Sequence, residues 1–172
     1  KNGTINLGNN INAKILVQNY SNLTLENMTL DFKKYLYKPG GYTLSCNKGN
    51  TIIKGNTNII SPKGKYTSVE KLVYAINIYN DENNHPVSLT IDETMTGTVT
   101  GNVEVSGVTQ GEDTQKLVIK GGTYTGVITD NRDDKNKDVT DIFGGTFTNK
   151  KSNVEKYVAD GYIVNPATGM VS

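Results

Sequence analysis

The chain has 172 residues and a formal net charge of +1, from 18 basic and 17 acidic side chains, so it carries no broad electrostatic pull toward nucleic acid or an anionic membrane. Hydrophobic residues make up 35% of it, below the usual fraction of about 45–50%, which also counts glycine, and this calls for a narrow core under much polar surface. Arg132 is the only arginine and Cys46 the only cysteine, which excludes an arginine-cluster phosphate site and an intramolecular disulfide.

In chain order, the start at Lys1-Asn2-Gly3-Thr4 has neither an initiator Met nor a signal peptide, and reads as a piece of a longer polypeptide. Short apolar runs follow, bounded by Gly, Asn and Asp: Ile15 to Val17, Leu23 to Leu25, Met28 to Leu30, Thr51 to Ile53 and Asn58 to Ile60. Runs of this length between turn formers are strands. Between them lies an aromatic loop, Tyr35-Leu36-Tyr37-Lys38-Pro39-Gly40-Gly41-Tyr42. Its three tyrosines present flat faces and hydroxyls suited to sugar rings, and Tyr35, Tyr37 and Tyr42 are the ligand-binding candidates. Cys46 reads as a small buried strand residue. His85, the sole histidine, precedes Pro86 in a polar loop, with nothing to bring it to Cys46 as a catalytic partner.

Val69, Leu72, Val73 and Ile76 have helical spacing, but residues 72–79 are rich in β-branched and aromatic side chains. A strand is expected there, after one helical turn. Further strands are expected at Val87 to Ile91, Val103 to Val105 and Leu117 to Ile119. The decisive feature is a repeat. Gly97-Thr98-Val99-Thr100 recurs as Gly122-Thr123-Tyr124-Thr125 and Gly145-Thr146-Phe147-Thr148, at offsets of 25 and 23 residues. Short strands repeated at such a period mean stacked coils, each burying its neighbour's apolar side chains. Alternation turns Val99, Tyr124 and Phe147 inward, in one column, and the threonines outward onto a solvated face.

Two sets of acidic residues invite a chemical reading. Asp130, Asp134, Asn136, Asp138 and Asp141 have partial calcium-loop spacing, but Arg132 and Lys135 lie among them and oppose a metal. The stretch reads as a solvated loop between coils; no cofactor is expected, and weak calcium binding is the alternative reading. Asp92, Glu93 and Glu104 are the candidates for the paired carboxylates that glycoside hydrolysis needs.

The stretch Asn22-Leu23-Thr24-Leu25-Glu26-Asn27-Met28-Thr29-Leu30 resembles coils of right-handed parallel β-helices of the pectate-lyase-like group. Gly144-Gly145-Thr146-Phe147-Thr148, followed by Val154-Glu155-Lys156-Tyr157-Val158-Ala159-Asp160-Gly161-Tyr162, resembles a closing motif of β-helix domains in surface and secreted proteins of Gram-positive gut bacteria. The resemblance implies an extracellular setting and a multi-domain parent; it does not itself imply catalysis. A physical argument agrees on capping, because an open solenoid end exposes apolar core and strand edges. Val154, Tyr157 and Val158 have the spacing of a short amphipathic helix, with Ser152 or Asn153 as N-cap and Gly161 as its stop.

The expected fold is therefore all-β, a right-handed parallel β-helix over residues 1–172 with a capping helix and strand in 150–172. The expected function is a non-catalytic adhesive or spacer module on the bacterial surface or secreted. Its partners would be glycans or host and cell-surface proteins, with no nucleic acid, no membrane insertion and a monomeric state. The alternative is a carbohydrate-active enzyme domain or carbohydrate-binding module.

Overall fold

The computed structural model describes residues 2–8, 13–34, 41–63, 73–80, 85–107, 115–132, 138–149 and 154–172. After β1 (Gly3–Ile5) the chain runs through β2 (Ile15–Asn19), β3 (Leu23–Glu26) and β4 (Met28–Asp31). Next come β5 (Tyr42–Cys46), β6 (Gly49–Lys54) and β7 (Asn58–Ile60), then β8 (Tyr74–Asn80), β9 (Val87–Ile91) and β10 (Thr98–Thr100). The series closes with β11 (Asn102–Gly107), β12 (Gln115–Ile119), β13 (Thr123–Tyr124), β14 (Ile128–Arg132), β15 (Thr140–Ile142) and β16 (Thr146–Phe147).

From β2 onward, each triplet of strands visits three sheets in the same order. Sheet B is β14-β11-β8-β5-β2, sheet C is β15-β12-β9-β6-β3, and sheet A is β1-β4-β7-β10-β13-β16. All the strand pairings are parallel. The chain is a parallel β-solenoid.

The strands are short because the corners recur so often, and asparagine side chains hold those corners. A corner leaves backbone N–H groups that need an acceptor. Asn22 Oδ1 accepts from Asn50 N at 3.0 Å, Asn27 Oδ1 from Asn56 N at 2.9 Å, Asn58 Oδ1 from Thr98 N at 3.0 Å, and Asn102 Oδ1 from Val127 N at 2.8 Å. Each bond joins one coil to the next, so the asparagine-rich composition has a structural use.

The interior is a set of stacked columns. On sheet A the register runs Ile5, Leu30, Ile59, Val99, Tyr124, Phe147. Val99, Tyr124 and Phe147 are all buried, as alternation requires. The Tyr124 and Phe147 rings stack at 4.7 Å between centroids and 13° between planes. The Tyr124 hydroxyl, carried into the core with its ring, donates to the Gly121 carbonyl at 2.9 Å. Threonines flank the column on the outside, and the expected strand near residues 72–79 is β8.

The expected capping helix is a correction. Only a single 3-10 turn forms, Glu155–Tyr157, with Val154 at its N-cap position and no side-chain cap; Ser152 and Asn153 lie outside the described residues. The open edge of β15 explains the short turn. Val158 is extended and bridges Ile142 in parallel, and Ala159 N donates to Ile142 O at 3.0 Å. A backbone pair with a buried edge satisfies groups that a further helical turn would leave beside an unpaired strand. Val164 and Val171 then bridge as an antiparallel pair, and Met170 pairs with Thr146, so the expected terminal strand is present as isolated bridges.

Cys46 is a core residue, fully buried on β5. Burial pushes its thiol up to about 11, only partly offset by a hydrogen bond with Thr51. The folded thiol therefore keeps its proton where an unfolded one ionises, near pH 9. Stability from this group is complete below pH 9 and is lost as pH rises from 9 to 11. At pH 8 an alkylating reagent should modify native Cys46 far more slowly than urea-unfolded Cys46, since the thiolate is the nucleophile. Equal rates would place the thiol at the surface.

Candidate functional site

Polar side chains in the middle of apolar strands mark the outer face of sheet B. Asn77 lies between Ile76 and Ile78, and Glu104 between Val103 and Val105. In a strand the flanking residues turn inward, so the polar one turns outward. The sheet aligns Gln18, Ser45, Asn77, Glu104 and Thr129 in one row across the strands.

Glu104 is the centre of this face, and it is only 6% exposed. Its Oε2 accepts from the Tyr42 hydroxyl at 2.6 Å and from Asn77 Nδ2 at 2.8 Å. Its Oε1 accepts from Asn131 Nδ2 at 2.7 Å. The carboxylate thus links β5, β8 and β14 to its own strand, β11. Among the described residues no lysine or arginine forms an ion pair with Glu104. A buried charge is costly unless hydrogen bonds replace its water, and here three neutral donors do so through charge-assisted bonds.

Aromatic rings border the carboxylate. Tyr42 and Tyr74 lie 5.7 Å apart at 47°, and Asn131 Nδ2 reaches the Tyr74 hydroxyl at 3.5 Å. Ser106 contacts Asn77 through its hydroxyl at 3.0 Å. Tyr79 is aligned with Ser106 and exposed. At the β2 edge Tyr20 is also exposed, its hydroxyl accepting from Gln18 Nε2 at 2.7 Å. Around the buried carboxylate the exposed Gln18, Tyr20, Tyr79 and Asn131 offer amides, hydroxyls and ring faces, groups that match the donors, acceptors and apolar faces of a sugar. The cleft under the C-terminal hairpin, lined by Phe147, Val154 and Val164 among others, is about 230 Å³, smaller than ligand pockets of about 300–1,000 Å³.

Of the expected ligand residues, Tyr42 stands at this site, while Tyr35 and Tyr37 lie outside the described residues. The candidate carboxylates do not assemble. Asp92 and Glu93 follow β9 on sheet C, whereas Glu104 is on sheet B. Asp92 Oδ1 accepts from Thr94 N and Thr94 Oγ1, at 2.9 and 2.7 Å, and these bonds hold its carboxyl below the usual range. The expectation of a solvated loop at Asp130 and Arg132 is corrected: both lie on β14, and Arg132 is buried with Nη2 2.6 Å from Asp130 Oδ2. Residues 133–137 lie outside the described residues, and among those described no group of three or more acidic, His or Cys side chains has the arrangement of a metal site.

The signal for Glu104 and Asn131 was the interrupted apolar pattern together with equal spacing, since both the Asn77–Glu104 and Glu104–Asn131 bonds span 27 residues. The fold and this face define the class, a parallel β-solenoid with a polar and aromatic lateral surface. Neither a protein-family model nor a curated protein nor a solved structure matches the chain.

Proposed function

We propose that the chain is a non-catalytic β-helix module of a bacterial surface or secreted protein, adhesive or spacing in role, which binds glycan on the outer face of sheet B. The observation that carries this reading is the Glu104 carboxylate held by Tyr42, Asn77 and Asn131 beside the Tyr74 ring. The resemblance of residues 144–162 to a β-helix closing motif of Gram-positive gut bacteria supports the extracellular setting. Placement of Asp92 and Glu93 after the end of β9 on sheet C, with Glu104 on sheet B, favours binding over hydrolysis, because glycoside hydrolysis needs two carboxyl groups flanking one bond.

A glycan array tests it. The native chain should retain a defined set of glycans, and Tyr42→Ala should weaken that retention by about tenfold, equivalent to ~1.4 kcal/mol. Retention unchanged in both Tyr42→Ala and Glu104→Gln would remove sheet B as the site. Polysaccharide turnover abolished by Asp92→Asn or Glu93→Gln would overturn the non-catalytic reading.

A further inference from the structure

We propose that the sheet B site selects glycans carrying a free, protonated amine, that is, amino sugars without an N-acetyl group. The inference rests on the glycan reading of that face and names the class of sugar. The charge of the face carries it. Among the described residues, the charged side chains on the five strands of sheet B are Glu104, Asp130 and Arg132. Asp130 and Arg132 pair at 2.6 Å, so Glu104 leaves the sheet with a net negative charge. Its donors, Tyr42, Asn77 and Asn131, are neutral; they replace water without cancelling the charge. Lys14 is exposed just ahead of β2, but β2 stands three rungs from β11. That is about 14 Å at about 4.8 Å per rung, beyond the Debye length of about 8 Å in physiological salt.

The carboxylate has room for one more donor. A carboxylate accepts at about four sites. Oε2 takes two bonds, from Tyr42 and Asn77, and Oε1 takes one, from Asn131. Asn77 is buried and Tyr42 half-buried, whereas Asn131 is exposed, so Oε1 is the oxygen toward solvent. The Tyr42 and Tyr74 rings, 5.7 Å apart and tilted at 47°, stand beside it. A cation is drawn to such ring faces within about 6 Å. A protonated amine therefore brings three things in one small group: the missing positive charge, N–H donors for Oε1, and attraction to the rings. The sugar ring that carries it meets the exposed Tyr79 ring.

Other sugars do less well here. An acidic sugar brings a like charge to a face with no unpaired cation among its described strand residues, which is a repulsive element against it. N-acetylation removes the charge from the nitrogen, so the acetylated sugar keeps the ring contacts and forfeits the electrostatic attraction.

Retention is measured on glucosamine oligosaccharides, on the same oligosaccharides after N-acetylation, on polygalacturonate and on poly-lysine, at mildly acidic pH where the sugar amine is protonated. The proteins are the native chain, Glu104→Gln, Asn131→Lys and a control, Glu26→Gln, which removes a carboxylate charge from sheet C, where Glu26 pairs with Lys54 at 3.2 Å. The native chain and the control should favour the free amine over its acetylated form by about tenfold or more. Glu104→Gln should bring that ratio near one. So should Asn131→Lys, which sets a fixed cation beside Oε1 from an exposed position that does not threaten folding. Equal or stronger native retention of the acetylated or acidic sugars would overturn the selectivity and leave the glycan reading standing. A preference that survives in both sheet B variants would overturn it too. Poly-lysine held as well as the amino sugar would do the same, since the face would then read protein cations. No retention of any sugar would overturn the glycan reading itself, and this inference with it.

Discussion

Tyr124→Ala should cost the solenoid about 3–5 kcal/mol, as large-to-small changes at buried aromatic positions do. The ring is 1% exposed and lies between Val99 and Phe147 on neighbouring coils. Removing it empties the middle of the column and strips Phe147 of its stacking partner. It also takes away the hydroxyl that the Gly121 carbonyl accepts from. Burial alone holds that hydroxyl protonated far above the ordinary tyrosine range. Tyr124→Phe separates the contributions: it keeps the ring, loses one hydrogen bond, and should cost about 1 kcal/mol. Urea denaturation followed by circular dichroism measures both, and a loss below about 1 kcal/mol for Tyr124→Ala would mean that the ring is not in a packed interior.

Gly97→Ala should be nearly as damaging, at about 3 kcal/mol or more, beyond ordinary overpacking. A Cβ on Gly97 would be driven into the carbonyl of Thr57 on the preceding coil. That obstacle is backbone, so no side-chain rotation relieves it. The coils are also bonded here, with Thr96 N donating to Gly55 O and Thr123 N to Gly97 O, each at 3.0 Å. Separating them to admit a methyl strains both contacts. Gly161 is the useful contrast, since a Cβ there meets nothing within 4 Å but φ is +86°. Gly161→Ala should cost only about 1–2 kcal/mol, from the left-handed backbone alone. Thermal melting of the two variants should therefore rank Gly97→Ala well below Gly161→Ala, and the reverse order would contradict the close approach of coils.

The Gly-Thr-x-Thr repeat disclosed the architecture because identical side chains at one period occupy identical places in successive coils. Val99, Tyr124 and Phe147 were legible as a column for that reason, and their threonines as its outer flanks. The upstream part of the same column, through Ile59 and Leu30, was hidden because Asn58, Ile60 and Asp31 break the threonine pattern without breaking the register. The capping helix was misread because side-chain spacing at Val154, Tyr157 and Val158 carries no information about an open strand edge nearby. Ile142 offers that edge, and Val158 takes it. The Glu104 site was legible only in parts. Tyr42 stood out as an aromatic and Glu104 as a carboxylate, but their contact spans 62 residues, and pairwise register is set by the fold.

The central claim is that sheet A is one continuous in-register ladder. Spin labels on cysteines replacing Thr146 and, in turn, Thr98, Thr29 and Thr4, in a Cys46→Ser background, measure it directly. Thr98, Thr29 and Thr4 stand two, four and five rungs from Thr146, so backbone separations should rise in steps to about 10, 19 and 24 Å at about 4.8 Å per rung. Separations that failed to grow in that order, or that placed Thr29 next to Thr146, would contradict the solenoid.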